Sequence, residues 1–305
     1  MGHQDLDQAA NAKTMTGGPM QRLTSIPPSP SGAEAPEVVD QAADAEFRRA
    51  AHALGWDPDS LWVGGYVQYE WDHARHVFET CTTPIRGAKV LEFGCNFGAT
   101  SVVLAALGAS VIAVDVDSEA IDLARLNAQR YGVLTHIDIR HVADTRQLPI
   151  DDCTIDIVSC NSVLEYVPHD ILPEVQGEIA RVLRPGGTIL ITGTSSRLWP
   201  REVHSGVFGP NWLPRFVDKL TARSPQRGVW PWELLNGFGP GFENADRVDA
   251  CRSYLEAKHR MGLSPGRLNV LRAMARITTL LRVTPGLLTP SISVNLLKRD
   301  AQKVV

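Results

Sequence analysis

Between Val90 and Thr192 the chain repeats one alternation: a short, unbroken apolar run, a turn, then a segment with helical spacing. Val90-Leu91-Glu92-Phe93 reads as a strand, and Gly98 to Leu107 as a helix closed by Gly108. Val111-Ile112-Ala113-Val114 is a second strand, continuously apolar as expected where both faces of a sheet are covered. Asp117 or Ser118 can cap the next helix, whose inner face carries Ile121, Ala124 and Ala128. Ile137 to His141 and Ile155 to Cys160 read as the third and fourth strands. A helix burying Val175, Ile179, Val182 and Leu183 should then stop at Pro185-Gly186-Gly187, and Thr188 to Thr192 is a fifth strand. Strands separated by helices or long connections pair in parallel with right-handed crossovers, so the fold class is a doubly wound α/β sheet. Such sheets bind ligands at the carboxyl ends of their strands, near the point where strand order reverses.

The flanks are less regular. With 305 residues, 44% of them hydrophobic, the chain suits one large domain with additions or two small ones. Residues 1–36 are expected to be a disordered arm, since Gly17-Gly18-Pro19 and Ile26-Pro27-Pro28-Ser29-Pro30 forbid regular structure. Residues 37–85 read as a helical cap, with Val38, Ala42, Ala45 and Arg49 on one helical spacing and a second helix over Tyr69 to Cys81. The core spans 86–195, and 196–305 is expected to supply a substrate lid, helices and a closing strand over Ser291 to Leu297. Eight of the chain's twenty Phe, Trp and Tyr residues fall between 195 and 245: Trp199, Phe208, Trp212, Phe216, Trp230, Trp232, Phe238 and Phe242. Aromatic enrichment outside the sheet suggests the lid. From Leu268 to Arg282 a helix would align Val270, Met274, Ile277 and Leu281 opposite Arg272, Arg276 and Thr279. Core or dimer packing is the plainer reading of that face; a basic amphipathic helix can also touch a membrane surface.

Composition excludes several classes. The net charge is −4 and the basic residues are scattered, so no nucleic-acid footprint is present. Cys81, Cys95, Cys153, Cys160 and Cys251 form no metal-like pair and no disulfide framework, which fits reduced thiols in a cytoplasmic protein. No apolar run reaches the roughly 18 residues of a membrane span, and no secretory signal is visible. The expected partner is a small-molecule substrate, met by a monomer or homodimer.

The chemistry concentrates in Glu92-Phe93-Gly94-Cys95-Asn96-Phe97-Gly98, which follows a strand and opens a helix. Gly94 permits a sharp turn and Gly98 a close helix–strand approach, leaving backbone amides at a helix N-terminus for an anionic or polar group. Asp115 ends the second strand seventeen residues after Gly98, where a carboxylate can accept both hydroxyls of a ribose. Further elements are Ala143-Asp144-Thr145, Asn161-Ser162-Val163-Leu164-Glu165-Tyr166 and Leu183-Arg184-Pro185-Gly186-Gly187-Thr188. These five in order resemble the class I S-adenosylmethionine-dependent methyltransferase superfamily, small-molecule type, over about residues 60–195. The middle glycine of that family's first loop is here Asn96, a residue that tolerates a left-handed backbone.

The resemblance implies a mostly parallel, seven-stranded Rossmann-like sheet with S-adenosyl-L-methionine as cofactor. It implies that Glu92, Gly94, Cys95, Asn96 and Gly98 border the methionine moiety. Asp115, with Val116 beside it, would hold the ribose, Asp144 the adenine, and Asn161 would lie near the methyl-donor end. A nicotinamide enzyme can share the first loop and the ribose acid; the two later motifs favour methyl transfer.

For an acceptor hydroxyl a base is needed, and His204, shortly after the fifth strand, is the leading candidate, with Glu202 second. His73 and His76 are weaker candidates on the N-terminal helix. Tyr66, Tyr69, Trp71, Trp199 and Trp212 are candidate substrate contacts. No Asn/Asp-Pro-Pro-Tyr/Phe motif follows the fourth strand, and no acid cluster there implies a metal. The function expected is methyl transfer to a small apolar or aromatic acceptor, most simply on oxygen. The alternatives are transfer to N, S or C of a lipid- or quinone-like substrate, or a non-catalytic cofactor-binding partner protein.

Overall fold

A computed structural model describes residues 28–214, 227–280 and 283–299. Phe216, Leu281, Arg282 and most of the expected N-terminal arm lie outside the described residues. Two helices lead in, α1 (Gln41–Ala53) and α2 (Tyr66–Asp72), followed directly by α3 (Ala74–Thr80). The alternation then runs β1 (Lys89–Phe93), α4 (Ala99–Ala106), β2 (Ser110–Asp115), α5 (Ser118–Arg130), β3 (Ile137–His141), β4 (Ile155–Asn161), α6 (Leu172–Val182) and β5 (Leu183–Ser195). After it come α7 (Pro231–Asn236), β6 (Phe242–Asn244), α8 (Ala245–Val248), α9 (Arg252–Arg260), α10 (Pro265–Leu280) and β7 (Ser291–Lys298).

The seven strands form one sheet in the order β3-β2-β1-β4-β5-β7-β6. β1 to β5 pair in parallel, and β7 pairs antiparallel with both β5 and β6. Strand order reverses between β1 and β4, and sheets of this kind bind ligands at the carboxyl ends of the strands that flank such a point. The central strands are mostly apolar because each face meets helices. On one face Val90, Val111 and Ile157 pack with Val102, Val103 and Leu107. On the other Leu91, Val158 and Ile189 pack with Val175, Ile179 and Val182.

Caps behave as their chemistry demands. Asp117, not Ser118, caps α5, its carboxylate accepting from the amides of Glu119 and Ala120. Ile121, Ala124 and Ala128 are buried as their spacing requires. Lys298 on β7 donates to the carbonyls of Ala180 and Leu183, both at 2.7 Å, satisfying the end of α6.

Five expectations change. Residues 28–36 are irregular but attached, with Ser29 and Ser31 donating to Glu79 and Arg86 to the Ser31 carbonyl. α1 turns Ala43, Phe47 and Ala51 inward, not Ala42 and Ala45, because Phe47 is its one large apolar side chain. The helix expected over 69–81 begins at Tyr66 and breaks at His73, whose φ of −123° and ψ of −68° leave the helical region. Along α10 the buried residues are Leu268, Ala275 and Thr278, while Val270 and Ile277 are 60% and 62% exposed. The apolar spacing chosen from sequence therefore points outward there. β5 also starts at Leu183, so Pro185-Gly186-Gly187 lies inside a strand with a register shift rather than in a loop.

Asp117→Ala removes the acceptor for two α5 amides. It should cost about 1 kcal/mol in urea unfolding, and Asp117→Ser should recover most of that.

Candidate active site

The loop after β1 is built by backbone that L-residues avoid. Gly94, Asn96 and Gly98 have φ of 77°, 47° and 72°. A Cβ on Gly94 would lie 2.2 Å from Val163 Cγ2, and one on Gly98 3.1 Å from the Ala124 Cβ. The asparagine thus takes the left-handed backbone expected of it. Four amides of the loop are engaged within the chain. Gly94 and Cys95 donate to the Val114 carbonyl at 2.9 and 3.0 Å, and Gly98 to the Cys95 carbonyl at 2.8 Å. Asn96 donates to Asp115 Oδ2, also at 2.8 Å. Cys95 is buried, and burial raises its thiol pKa.

Carboxylates dominate the crevice instead. Asp115 ends β2, and its Oδ1 accepts from the Asp117 amide at 3.0 Å. Burial raises its pKa against those two amide bonds. The Val116 side chain beside it is exposed, while its carbonyl accepts from or is contacted by His141 Nε2 at 3.0 Å. Asp144 engages the guanidinium of Arg146 with both oxygens, at 2.9 and 2.8 Å, which draws its pKa down to about 2. A ligand amine there would have to share Asp144 with Arg146.

A group that motif reading missed is Glu70 on α2. It is fully enclosed and accepts from Asn161 Nδ2 at 3.0 Å, from Thr100 at 3.5 Å and from the Tyr66 hydroxyl. Asn161 is held in turn by Thr192, which donates to its Oδ1 at 3.0 Å. Glu92 on β1 is also buried and accepts from the Ser101 hydroxyl. Burial pushes Glu70 up to about 7 and, together with the charge of Glu70, Glu92 up to about 8. Among the described residues neither forms an ion pair. The only sequence signal for Glu70 was its neighbourhood, Tyr66-Val67-Gln68-Tyr69-Glu70-Trp71, in a helix expected to lie over the site.

The aromatic candidates divide. Tyr66 stacks on Tyr69 at 5.8 Å, Tyr69 on His73 at 4.3 Å, and the half-exposed Trp62 leans on both tyrosines. Trp71 is instead core, 4% exposed under the Arg75 guanidinium at 4.6 Å. His76 is buried as well, and burial with the nearby Arg75 lowers its pKa to about 4. Both side chains are packed inside the protein.

The second centre lies after β5. His204 Nε2 stands 2.8 Å from Glu165 Oε1, and the Glu165 side chain is 0% exposed. The Ser195 amide donates to the same oxygen at 3.1 Å. Burial pulls the His204 pKa down, but the hydrogen bond and charge of Glu165, then the charge of Glu202, outweigh it and leave it raised. Glu202 is buried and closes a turn, accepting the amides of His204 and Ser205, which lower its pKa against burial. It shapes the loop; a carboxylate so engaged is not a free base. Trp199 and Trp212 expose their indoles and anchor them through Nε1 to the carbonyls of Leu288 and Leu198. Tyr254 and Lys258 stand four apart, a spacing used by some dehydrogenases. They lie on α9, away from the strand ends, and burial pushes Tyr254 up to about 12. Among the described residues no group of three His, Cys, Asp or Glu could hold a metal, and no helix is long and apolar enough to cross a membrane.

The raised carboxyls have a consequence for stability. The folded chain holds protons on Glu70 and Glu92 that the unfolded chain, near 4.5, gives up. Their contribution is full below that value and falls as pH rises toward 7 to 8. Glu92→Gln should therefore flatten the decline in urea midpoint between about pH 5 and 9; parallel curves for variant and parent would contradict this.

Residues 91–191 match the family model of a methyltransferase domain. The chain is 30% identical over 154 residues to a ubiquinone biosynthesis O-methyltransferase of Thiobacillus denitrificans, covering 50% of this chain and 63% of that one. It is 28% identical over 200 residues to a protein of the same name from Haemophilus ducreyi, covering 65% and 81%. A solved S-adenosylmethionine dependent methyltransferase from Mesorhizobium loti is similar at 16% identity and a TM-score of 0.48, over 75% of this chain and 97% of that one. Residues 91–191, which carry the central strands and the point where strand order reverses, are thus a methyltransferase domain of the S-adenosylmethionine-dependent kind.

Proposed function

We propose that this protein methylates a hydroxyl of a small, apolar, quinone-like aromatic acceptor, with His204 as general base and Glu165 as the carboxylate that orients it. The 2.8 Å contact between His204 and buried Glu165, beyond the carboxyl ends of β4 and β5, carries this reading. The names of the two relatives, both O-methyltransferases of ubiquinone biosynthesis, support the acceptor class.

The crevice fits the cofactor by its charge. A phosphate-binding loop leaves amides free; here the amides of Gly94, Cys95, Asn96 and Gly98 are consumed internally. Two buried carboxyls without a cation, Glu70 and Glu92, await a positively charged ligand instead. S-adenosylmethionine brings such charge on its ammonium and sulfonium, and the sulfonium makes its methyl group electrophilic. In this reading Glu92, Glu70, Asn161 and the loop Gly94, Cys95, Asn96, Gly98 hold the methionine end. Asp115 holds the ribose hydroxyls, with Val116 and Asp144 toward the adenine.

The residues of the chain then do three things. The exposed indoles of Trp199 and Trp212 and the Tyr66–Tyr69 stack supply apolar walls that fix the acceptor ring. Fixing a nucleophile in line is worth up to roughly 7–11 kcal/mol in model reactions. His204 takes the acceptor proton as the new O–C bond forms, and Glu165 keeps the imidazole oriented and stabilises it once charged.

His204→Ala should lower methyl transfer by about 10²–10⁴-fold with S-adenosylhomocysteine affinity unchanged by calorimetry; a variant as active as the parent rejects the base. The parent's rate should rise with pH through a midpoint above the ordinary 6.5, since only neutral His204 accepts a proton. Glu165→Gln should move that midpoint lower while also slowing the reaction. Asp115→Ala should weaken S-adenosylhomocysteine binding, and equal affinity would contradict the ribose assignment.

A further inference from the structure

On the C-terminal side a groove of about 620 Å³ opens between α9 and α10. Arg252, at the start of α9, and Arg272 and Arg276, one turn apart on α10, line it together with His259. Two acids also reach it, each held by donors of its own, and against three arginines they leave the lining net positive. Asp249 caps α9, accepting from the Arg252 amide at 3.1 Å and from the amide and hydroxyl of Ser253 at 2.9 and 2.5 Å. Glu256 is engaged by Arg260 at 2.8 Å. Arg272 has only the neutral side-chain oxygen of Asn269, at 3.0 Å. Among the described residues none of the three lining arginines forms an ion pair. The chain reaches the groove through two successive left-handed residues, Ala250 and Cys251, with φ of 57° and 62°. Such backbone is costly away from glycine and is kept where surrounding structure holds it.

We propose that this groove binds a phosphate-bearing ligand. Three arginines that line one groove without carboxylate partners suit an anion of two or more charges, and planar guanidinium forks match phosphate oxygens in pairs. A single carboxylate would leave most of that charge unanswered. The volume lies within the range of roughly 300–1,000 Å³ typical of small-molecule sites. Nothing in the methyl-transfer reading uses these residues, so the groove stands or falls separately from it. The phosphate belongs either to a soluble molecule or to a lipid headgroup, and the two sources share this chemistry.

The full chain can be tested at low salt with inorganic pyrophosphate by calorimetry, and with phosphatidylcholine vesicles with and without phosphatidic acid by co-sedimentation. Binding of pyrophosphate but not vesicles assigns a soluble ligand; binding of the phosphatidic acid vesicles but not pyrophosphate assigns a headgroup. Either result supports the site if Arg272→Ala with Arg276→Ala weakens it at least about tenfold. That variant should keep its unfolding temperature and its methyl transfer. Arg49→Ala with Arg267→Ala removes equal charge from exposed positions outside the groove and should bind as the parent does. Failure of the parent to bind either probe, or equal loss in the two double variants, overturns the proposal.

Discussion

The close approach of the β1–α4 loop to its neighbours governs this molecule. Gly94 abuts Val163 from the β4 side, and Gly98 abuts Ala124 of α5. No side chain larger than hydrogen fits at Gly94 without moving the segment after β4. That segment carries Asn161 at one end and Glu165 at the other. The turn that closes the cofactor crevice therefore also sets the distance between the two halves of the site. Asn161 faces Glu70 and the crevice, while Glu165 faces His204 and the loop after β5.

Electrostatics divide the site along the same line. The crevice side keeps two carboxyls without cations, at the cost of burial that protonates them near neutrality. The His204 side keeps a carboxylate with a cationic partner to be. In the proposed reading one half receives positive charge and the other develops it, which is what displacement at a sulfonium by a deprotonating hydroxyl asks of a protein.

The core was legible in sequence because its periodicity and its punctuation agree. Val111 to Val114 could only be a covered strand, and Asp117, Gly98 and Gly108 mark helix ends by simple steric and capping rules. Asp115 and Asn161 stand at the ends of β2 and β4, where the apolar runs before them place them. Reading failed where tertiary contacts overrule local pattern. α10 has two apolar stripes, and only packing decides that Leu268 and Ala275 go inward rather than Val270 and Ile277. Glu70 was invisible because its partner Thr100 lies 30 residues away and Asn161 lies 91 away. Trp71 looked like a ligand contact only because aromatic residues serve cores and sites equally well. In the first loop the Val114 carbonyl takes up the amides of Gly94 and Cys95, and Asp115 that of Asn96, partners that no local pattern announces.

β7 has a bearing on how the chain matures. It pairs with β5 along Thr188 to Ser195, yet begins only at Ser291. Ser196, at the end of the same strand, donates to the Pro290 carbonyl. During synthesis, β5 would emerge with one edge unpaired and its buried residues, Ile189, Leu190 and Ile191, incompletely covered. At about 5–20 residues per second the wait for its partner is on the order of 5–20 s. An apolar strand edge left open that long invites pairing with another chain, so the interval between β5 and β7 is the stretch of biosynthesis in which a chaperone has the most to protect.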